Sequence, residues 1–228
     1  MSVLASAQET PGQSDNAADY RQRLITHAHT ILHMGYGRLK SSTMSKSEEE
    51  DITDALAEAM NAVLASPDTP PWRTFYAVHE EPRVWNKRRR GKRRLRLDIQ
   101  VEYTGATRPR FSFEAKRLRA ADANSISKYF GKEGLGCFVL GLYASESDEA
   151  GMLAYIQSHD LTHWSAAISV GLKRRAKKCE WITEQGWVGV KVAEGLDTTF
   201  VSRHARVCLH RQIIIYHTLL SFLPQVRQ

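Results

Sequence analysis

The chain has 228 residues, of which 42% are hydrophobic and 25% charged, and its formal net charge is +7. This composition predicts a globular α/β protein with a real core, and the lack of a long uncharged apolar run argues against a membrane-spanning segment. Three widely separated cysteines, and a first stretch with no basic and apolar leader, predict a cytoplasmic protein without disulfides.

The positive charge is concentrated in two places. Nine of the 32 basic residues lie between Arg83 and Arg96 with no acid among them, and acids slightly outnumber bases in the rest of the chain. Residues 173–178 contain five more bases. Two dense basic patches on an otherwise acidic body predict a polyanionic partner, with a solvated loop as the alternative.

The first part of the chain predicts a flexible lead and two helices. Residues 1–18 are small and polar, and a helical pattern follows over 20–32, ended by a pair of glycines. A second helix is capped by Ser45 or Ser47 and carries acids in its first turn, where they complement the helix dipole. Its apolar stripe consists of Ile52, Leu56, Met60 and Val63.

Three strands are predicted next, at 72–79, 95–103 and 110–115. Each is rich in β-branched or aromatic residues, and the middle one alternates well between apolar and polar positions. The basic tract 86–94 therefore falls on a hairpin loop between the first two strands.

The pattern after the third strand is less regular. Residues 120–130 predict a short helix, and the nearly continuous apolar run 137–144 predicts a strand covered on both faces. Residues 148–159 and 162–178 predict helices, and 181–192 predict a hairpin.

The candidate site lies on the second and third predicted strands. Strand alternation places Asp98 on the face opposite Ile99, and Glu114 and Lys116 on the face opposite Phe113. Because hairpin neighbours pair, we expect these three polar side chains to converge. Two nearby carboxylates repel each other unless a cation lies between them, and their oxygens suit Mg²⁺ or Mn²⁺. The pattern predicts metal-assisted hydrolysis of a phosphodiester.

Asp98, followed sixteen residues later by Glu114, Ala115 and Lys116, resembles the PD-(D/E)XK motif of restriction-endonuclease-like nucleases. Leu97 stands where the motif has proline, at a position that varies widely in the family. The context supports the motif, since an apolar residue precedes each acid and a basic loop lies between the first two strands. The alternative is an exposed sheet face on which two acids and a lysine form surface ion pairs.

The resemblance covers residues 45–144, which supply an acidic helix, three strands, a helix and a fourth strand. It implies a restriction-endonuclease-like mixed β-sheet flanked by helices. The whole chain from 19 to 228 then forms one α/β domain, with residues 145–228 as additional C-terminal elements.

In that family the two acids bind a divalent metal, the lysine is catalytic, and the carbonyl between Glu and Lys often binds the metal too. A Glu from the first core helix often completes the site. Glu49 is the choice here because it precedes Ile52 and Leu56 by three and seven residues; Glu48 and Glu50 are close alternatives. The implied catalytic residues are Asp98, Glu114, Lys116 and Glu49, and the implied metal ligands are Asp98, Glu114, Ala115 and Glu49.

Together the motif and the basic tract imply a Mg²⁺- or Mn²⁺-dependent deoxyribonuclease. The glycine-rich segment from Lys128 to Phe138 resembles nuclease-like proteins of bacterial defence loci, which implies the cleaving subunit of a restriction or anti-phage defence system. A single site cuts one strand, so cutting both strands needs a homodimer or a partner subunit, or a second action of the same site. A ribonuclease and a non-catalytic nucleic-acid-binding or assembly subunit of the same fold stay as alternatives. The predicted nucleic-acid-binding residues are Lys87, Arg88, Arg89, Arg90, Lys92, Arg93, Arg94 and Lys128.

Two histidine patterns have a simpler interpretation. His27, His29 and His33 lie on one helical stretch with a spacing that can bind a transition metal, but no further ligand supports it and packing is expected. Ser202 and His204 are not expected to act as nucleophile and base, because close neighbours in sequence rarely align for that purpose.

Overall fold

A computed structural model describes residues 13–39, 44–83, 96–177 and 182–223 of the protein. Within these residues helices and strands alternate in the manner of an α/β fold. The helices are α1 Gln13–Arg38, α2 Glu49–Ala65, a 3₁₀ turn Pro71–Phe75, α3 Ser125–Phe130, α4 Leu135–Val139, α5 Leu161–Lys177 and a 3₁₀ turn Val207–Leu209. The strands are β1 Tyr76–Glu80, β2 Ile99–Tyr103, β3 Arg110–Leu118, β4 Glu149–Ile156, β5 Ile182–Gly189, β6 Thr199–Arg206 and β7 Arg211–Ser221.

The seven strands of the described residues form one mixed sheet in the order β1-β2-β3-β4-β7-β6-β5. β1, β2 and β3 make an antiparallel meander, and β5, β6 and β7 make a second antiparallel group. β4 lies between the two groups and pairs in parallel with both β3 and β7. The predicted mixed sheet flanked by helices is therefore confirmed.

Apolar side chains fill both faces of the sheet. On one face α1 and α2 cover Phe113 and Ala115 of β3, and on the other α3, α4 and α5 cover Leu118 of the same strand. Buried aliphatic and aromatic side chains of this kind each contribute roughly 1.5–3 kcal/mol. The alternation along β3 thus sends successive residues into different helical layers, and this fixes where its polar residues point.

The two N-terminal helices differ from the prediction at their ends. α1 already includes residues 13–18 of the predicted flexible lead, and it continues through Gly35 and Gly37 to Arg38. An interior glycine costs a helix about 1 kcal/mol, and the packing of α1 against α2 offsets this cost.

In α2 the predicted apolar stripe is confirmed, because all four of its residues are buried. The predicted serine cap is wrong: Glu48 is the N-cap residue, and its backbone N–H donates to the Asp51 carboxylate at 3.3 Å. Arg117 of β3 binds the Glu48 carboxylate and the Ser47 carbonyl, so the start of α2 is fixed to the end of β3.

Two element assignments in the middle of the chain are wrong. Residues 137–144, predicted as a buried strand, begin within the helix α4 and continue as turns that include Gly141 at a φ of +67°. Residues 148–159, predicted as a helix, contain the strand β4. The fourth strand of the core therefore lies beyond residue 144. A short apolar run does not distinguish a buried strand from a buried helix by periodicity, and here tertiary pairing decides.

Gly151 allows β4 to lie close beside β3. A Cβ at Gly151 would lie 2.2 Å from the ring of Phe113, because β4 passes directly beside β3 there. Every residue of β4 is buried, as expected for a strand with parallel partners on both sides and helices over both faces.

Of the two predictions for the C-terminal part of the chain, one is confirmed and one is wrong. The helix predicted over 162–178 is confirmed as α5. The predicted hairpin at 181–192 is instead one strand, β5, which pairs with β6 through two register shifts. Among the described residues no helix is both long and apolar enough to cross a membrane.

Candidate functional site

The end of β3 brings the predicted motif residues together. Asp98 lies immediately before β2, and its Oδ2 accepts a hydrogen bond from the Ala115 backbone N–H at 2.6 Å. The antiparallel register, with Ile99 opposite Phe113, sets this meeting because it places the start of β2 beside the second half of β3. The proximity of Asp98 to the Glu114–Lys116 segment is therefore a property of the hairpin itself.

The Lys116 ammonium lies at the centre of the cluster. Its Nζ donates to Glu49 Oε1 at 2.7 Å, to Glu114 Oε1 at 3.0 Å and to the Ala115 carbonyl at 2.6 Å. The side chains of Lys116 and Glu114 are only 10% and 5% exposed. Three of the four predicted oxygen ligands thus already converge on one positive charge.

Glu49 belongs to this cluster, and its two neighbours do not. Its second carboxylate oxygen accepts from the Arg117 backbone N–H at 2.9 Å, so both oxygens are engaged at the end of β3. Glu48 is 60% exposed and pairs with the Arg117 guanidinium, and Glu50 is exposed. One turn further along α2, Thr53 hydrogen-bonds both the Glu49 carbonyl and the buried Tyr155 hydroxyl, which holds the helix start in place.

The charges in the cluster are not balanced. Burial, opposed by Lys116 and the Ala115 N–H, raises the pKa of Asp98 to about 6. Burial and the nearby Asp98 raise the pKa of Glu114 well above its usual value. Burial lowers the pKa of Lys116, but the surrounding carboxylates outweigh it and raise that pKa. The lysine is therefore charged at neutral pH, while burial and mutual repulsion oppose the ionisation of Asp98 and Glu114 beside it.

One oxygen of the cluster has no partner. Glu114 Oε2 is buried and accepts no hydrogen bond from the described residues. A buried carboxylate oxygen without a partner carries a desolvation cost of about 1–3 kcal/mol or more. A cation or hydrogen-bond donor bound to this oxygen would offset that cost.

In this arrangement the Glu49 and Glu114 side chains bind the Lys116 ammonium. In the described part of the chain no group of three or more His, Cys, Asp or Glu residues is placed so that it could hold a metal ion. The type of donor nevertheless fits a hard divalent cation. Carboxylates and a backbone carbonyl are the ligands that Mg²⁺ and Mn²⁺ prefer, and the unpartnered Glu114 Oε2 supplies a free oxygen.

Two residues near Glu114 were missed by sequence reasoning. Cys137 on α4 donates its thiol to the Lys132 carbonyl, and the Tyr143 hydroxyl donates to the Arg96 carbonyl. Burial, and then the charge of Glu114, raise the pKa of Cys137 to about 12 and raise that of Tyr143 as well. Their segment was interpreted as a strand, so no periodicity pointed them towards the acids. The Cys137 thiol and the Tyr143 hydroxyl are therefore both uncharged at neutral pH, and they lie near Glu114.

The predicted nucleic-acid-binding residues are described only in part. Lys128 on α3 is 63% exposed and pairs with Asp122 at 2.7 Å. The basic tract lies outside the described residues, and its flanking residues Arg83 and Arg96 form an isolated antiparallel bridge. The members of the tract are Lys87, Arg88, Arg89, Arg90, Lys92, Arg93 and Arg94.

The histidine patterns are structural. His29 is fully buried against Phe111, Phe113 and Tyr216, and its Nδ1 bonds to the Ile25 carbonyl, so packing explains it. No metal-binding group involves it among the described residues.

Ser202 and His204 do contact each other, contrary to the expectation from their spacing. Ser202 Oγ lies 2.7 Å from His204 Nε2 and 2.8 Å from His217 Nε2, and His217 Nδ1 lies 2.7 Å from the Tyr129 hydroxyl. All four side chains have 0% exposure, so no substrate reaches the serine and the group is part of the core.

Comparison with protein-family models, with curated proteins and with solved structures gives no match for this chain. The functional interpretation therefore depends on the chemistry of the cluster formed by Glu49, Asp98, Glu114 and Lys116.

Proposed function

We propose that this protein is a divalent-metal-dependent nuclease that hydrolyses DNA phosphodiester bonds, as the cleaving subunit of a restriction or anti-phage defence system. The observation that carries the proposal is the buried cluster in which Lys116 contacts Glu49 and Glu114 while Asp98 binds the adjacent backbone. The order α2, β1-β2-β3, α3, α4, β4 supports it, because an acidic helix and three strands, followed by helical structure and a fourth strand, are what a restriction-endonuclease-like core implies.

The oxygens of Asp98, Glu114 and Glu49 and the Ala115 carbonyl are the groups that would hold Mg²⁺ or Mn²⁺. Such an ion, when bound, activates a water molecule at neutral pH and polarises the phosphate. Backbone N–H groups hold Asp98 and Glu49 in place, and burial raises the pKa of Asp98 and of Glu114, so a bound cation would relieve the cost of their charge.

Lys116 acts in this scheme as a fixed positive charge. Its raised pKa keeps the ammonium protonated, so it does not remove a proton from water as a general base. Its three hydrogen bonds hold Nζ between β3 and α2, where it stabilises negative charge that develops on the phosphate oxygens. Such a preorganised charge contributes in the transition state more than in the ground state.

The basic tract at Lys87–Arg94 supplies charge for binding the polymer. Lysine and arginine contacts to phosphates position a nucleic acid without reading its sequence. We therefore propose weak sequence preference, or specificity supplied by a partner subunit or a second copy of the chain. RNA in place of DNA is an outcome that the experiment distinguishes.

The test compares the wild type with Lys116→Met, which keeps the length of the side chain, and with Lys132→Met as an exposed control. Supercoiled plasmid, single-stranded DNA and RNA are each incubated with Mg²⁺, Mn²⁺ or EDTA. We expect wild type and the control to cut DNA only with a metal ion, and Lys116→Met to lose roughly a thousandfold in rate or more. Equal cleavage by Lys116→Met would contradict the proposal.

A second candidate is a non-catalytic nucleic-acid-binding or assembly subunit. It is favoured by the close pairing of Lys116 with Glu49 and Glu114, since no three acids of the described residues gather around a metal position. In that case the wild type binds nucleic acid in EDTA, cuts none of the three substrates, and shows no thermal stabilisation by Mg²⁺ or Mn²⁺.

A further inference from the structure

The C-terminal half of α5 carries an exposed basic face. Lys173, Arg174 and Lys177 are all exposed, and within the described part of the chain none of them forms an ion pair with an acid. They lie together with exposed Val170 at positions i, i+3, i+4 and i+7 on one side of the helix. The opposite side of α5 is buried through Trp164, Ile168 and Leu172.

This face is attached to the candidate site through α3. A Cβ at Gly171 would lie 2.3 Å from the Phe130 ring, so α5 packs very closely on α3. The Arg175 guanidinium lies over the same ring, 5.0 Å from its centroid. The end of α5 therefore has a fixed position relative to α3, and α3 follows directly from the strand that carries Glu114 and Lys116.

Further cations lie between α3 and the cluster. Arg117 first, and then Arg119 and Lys128, lower the pKa of the Glu48 carboxyl, so all three are close to the start of α2. Lys128 extends from α3 with 63% of its side chain exposed. Arg117 and Lys128 pair with Glu48 and Asp122, whereas the cations of the α5 face have no acidic partner among the described residues of the chain.

We infer that the basic face of α5 (Lys173, Arg174 and Lys177) binds the phosphate backbone of the nucleic acid whose cleavage site lies at Glu114 and Lys116. This inference rests on the proposed function and extends it by naming a second contact surface, separate from the basic tract. The positive charge of this face is complementary to DNA. DNA presents a negative charge about every 1.7 Å of duplex, and residues 170–177 span about 10 Å, so the face is long enough to lie along several charges. The contact is independent of base sequence.

The test measures binding of a labelled duplex by fluorescence anisotropy in EDTA over a series of salt concentrations. The variant Lys173→Gln/Arg174→Gln/Lys177→Gln is compared with Arg23→Gln/Arg38→Gln/Arg108→Gln, which removes the same charge from other, exposed positions. If all three α5 residues contact phosphates, the slope of log K against log salt becomes shallower by about 2–3 in the α5 variant. The control slope changes by less than about 1. A Lys173→Arg/Lys177→Arg variant keeps the wild-type slope.

Equal slopes for the two triple variants, or no binding by the wild type, would overturn the inference. The inference would also be overturned if the α5 variant lost binding to vesicles of phosphatidylcholine and phosphatidylserine while its DNA binding was unchanged. The α5 face would then bind an anionic membrane. Cleavage assays separate the two proposals. If the wild type binds DNA through α5 but never cuts it, this inference holds and the nuclease proposal is rejected. If the α5 variant binds DNA as the wild type does, this inference is rejected and the nuclease proposal is unaffected.

Discussion

Two groups of polar side chains are buried in this protein, and they differ in how their polar atoms are satisfied. In the cluster of Glu49, Asp98, Glu114 and Lys116, the ammonium pairs with Glu49 and Glu114, Asp98 accepts from a backbone N–H, and one Glu114 oxygen has no partner among the described residues. In the second group, Tyr129, Ser202, His204 and His217 are uncharged and joined end to end by hydrogen bonds.

The second group is closed. The Tyr129 hydroxyl pairs with His217 Nδ1, His217 Nε2 pairs with the Ser202 hydroxyl, and the same hydroxyl pairs with His204 Nε2, so neutral histidines can supply one donor and one acceptor at each step. Burial lowers the pKa of His204 to about 4 and lowers that of His217 further below its usual value, so both are neutral near pH 7. A fully satisfied neutral network contributes to a well-defined core.

The first group is open, since Glu114 Oε2 is buried without a hydrogen-bond partner among the described residues. A buried, incompletely paired set of charges is generally less stable than apolar residues of the same volume. Such an arrangement indicates a role in binding a cation or a substrate. The comparison teaches that burial of polar groups does not by itself indicate a site, and that incomplete pairing of several ionisable groups at one place is what favours the first cluster as a candidate.

The largest effect on cleavage is expected for Glu114→Gln, which changes the cluster that has the unpartnered oxygen. We expect metal-dependent cleavage to fall roughly a thousandfold, because a metal ligand and a charge are lost. The free energy of unfolding should fall by less than about 1 kcal/mol, or rise, because the change removes a carboxylate that burial already disfavours. Cleavage rates and urea unfolding measure both, with exposed Glu133→Gln as control. A strongly destabilised variant would mean that the open cluster is structural.

A somewhat smaller effect is expected for Glu49→Gln. This change removes one of the two carboxylates that contact Lys116, and we expect a loss of about a hundredfold in cleavage. The matched control is Glu50→Gln, on the same helical turn but exposed, which should cut like the wild type. Equal losses in the two variants would assign the effect to the charge of the α2 terminus in general.

The closed group predicts a dependence of stability on pH. The pKa of His204 is 6.5 in the unfolded chain and about 4 in the folded one, so the unfolded state binds more protons between these values. Stability should therefore fall as the pH is lowered from 6.5 to 4, by about 3 kcal/mol from this histidine. Urea unfolding of His204→Asn should show a shallower fall, and the exposed control His163→Asn the wild-type one. Parallel curves for all three proteins would show that His204 is already protonated in the fold.

The parts of the site that were predictable from sequence depend on local geometry. Asp98, Glu114 and Lys116 lie on one hairpin, where an alternation of two residues and one antiparallel pairing fix the outcome. Glu49 was predictable because helical spacing ties it to the apolar stripe of α2. Each of these inferences needs only neighbouring segments of the chain.

The rest depends on distant pairing. β4 is a strand because it fits between β3 and β7, and β7 begins some sixty residues later in the chain. The same holds for Tyr129 and His217, whose contact joins α3 to β7 across 88 positions. No periodicity within a segment records such a partner, so an apolar run rich in Met, Leu and Ala was interpreted as a helix.

The central place of β4 has a consequence for the biogenesis of the protein. Because β7 completes the parallel support behind β3, the sheet that holds Lys116 cannot close until residues near Ser221 have left the ribosome. During synthesis the polypeptide therefore carries Glu49, Asp98, Glu114 and Lys116 before β7 is available to complete the sheet that aligns them.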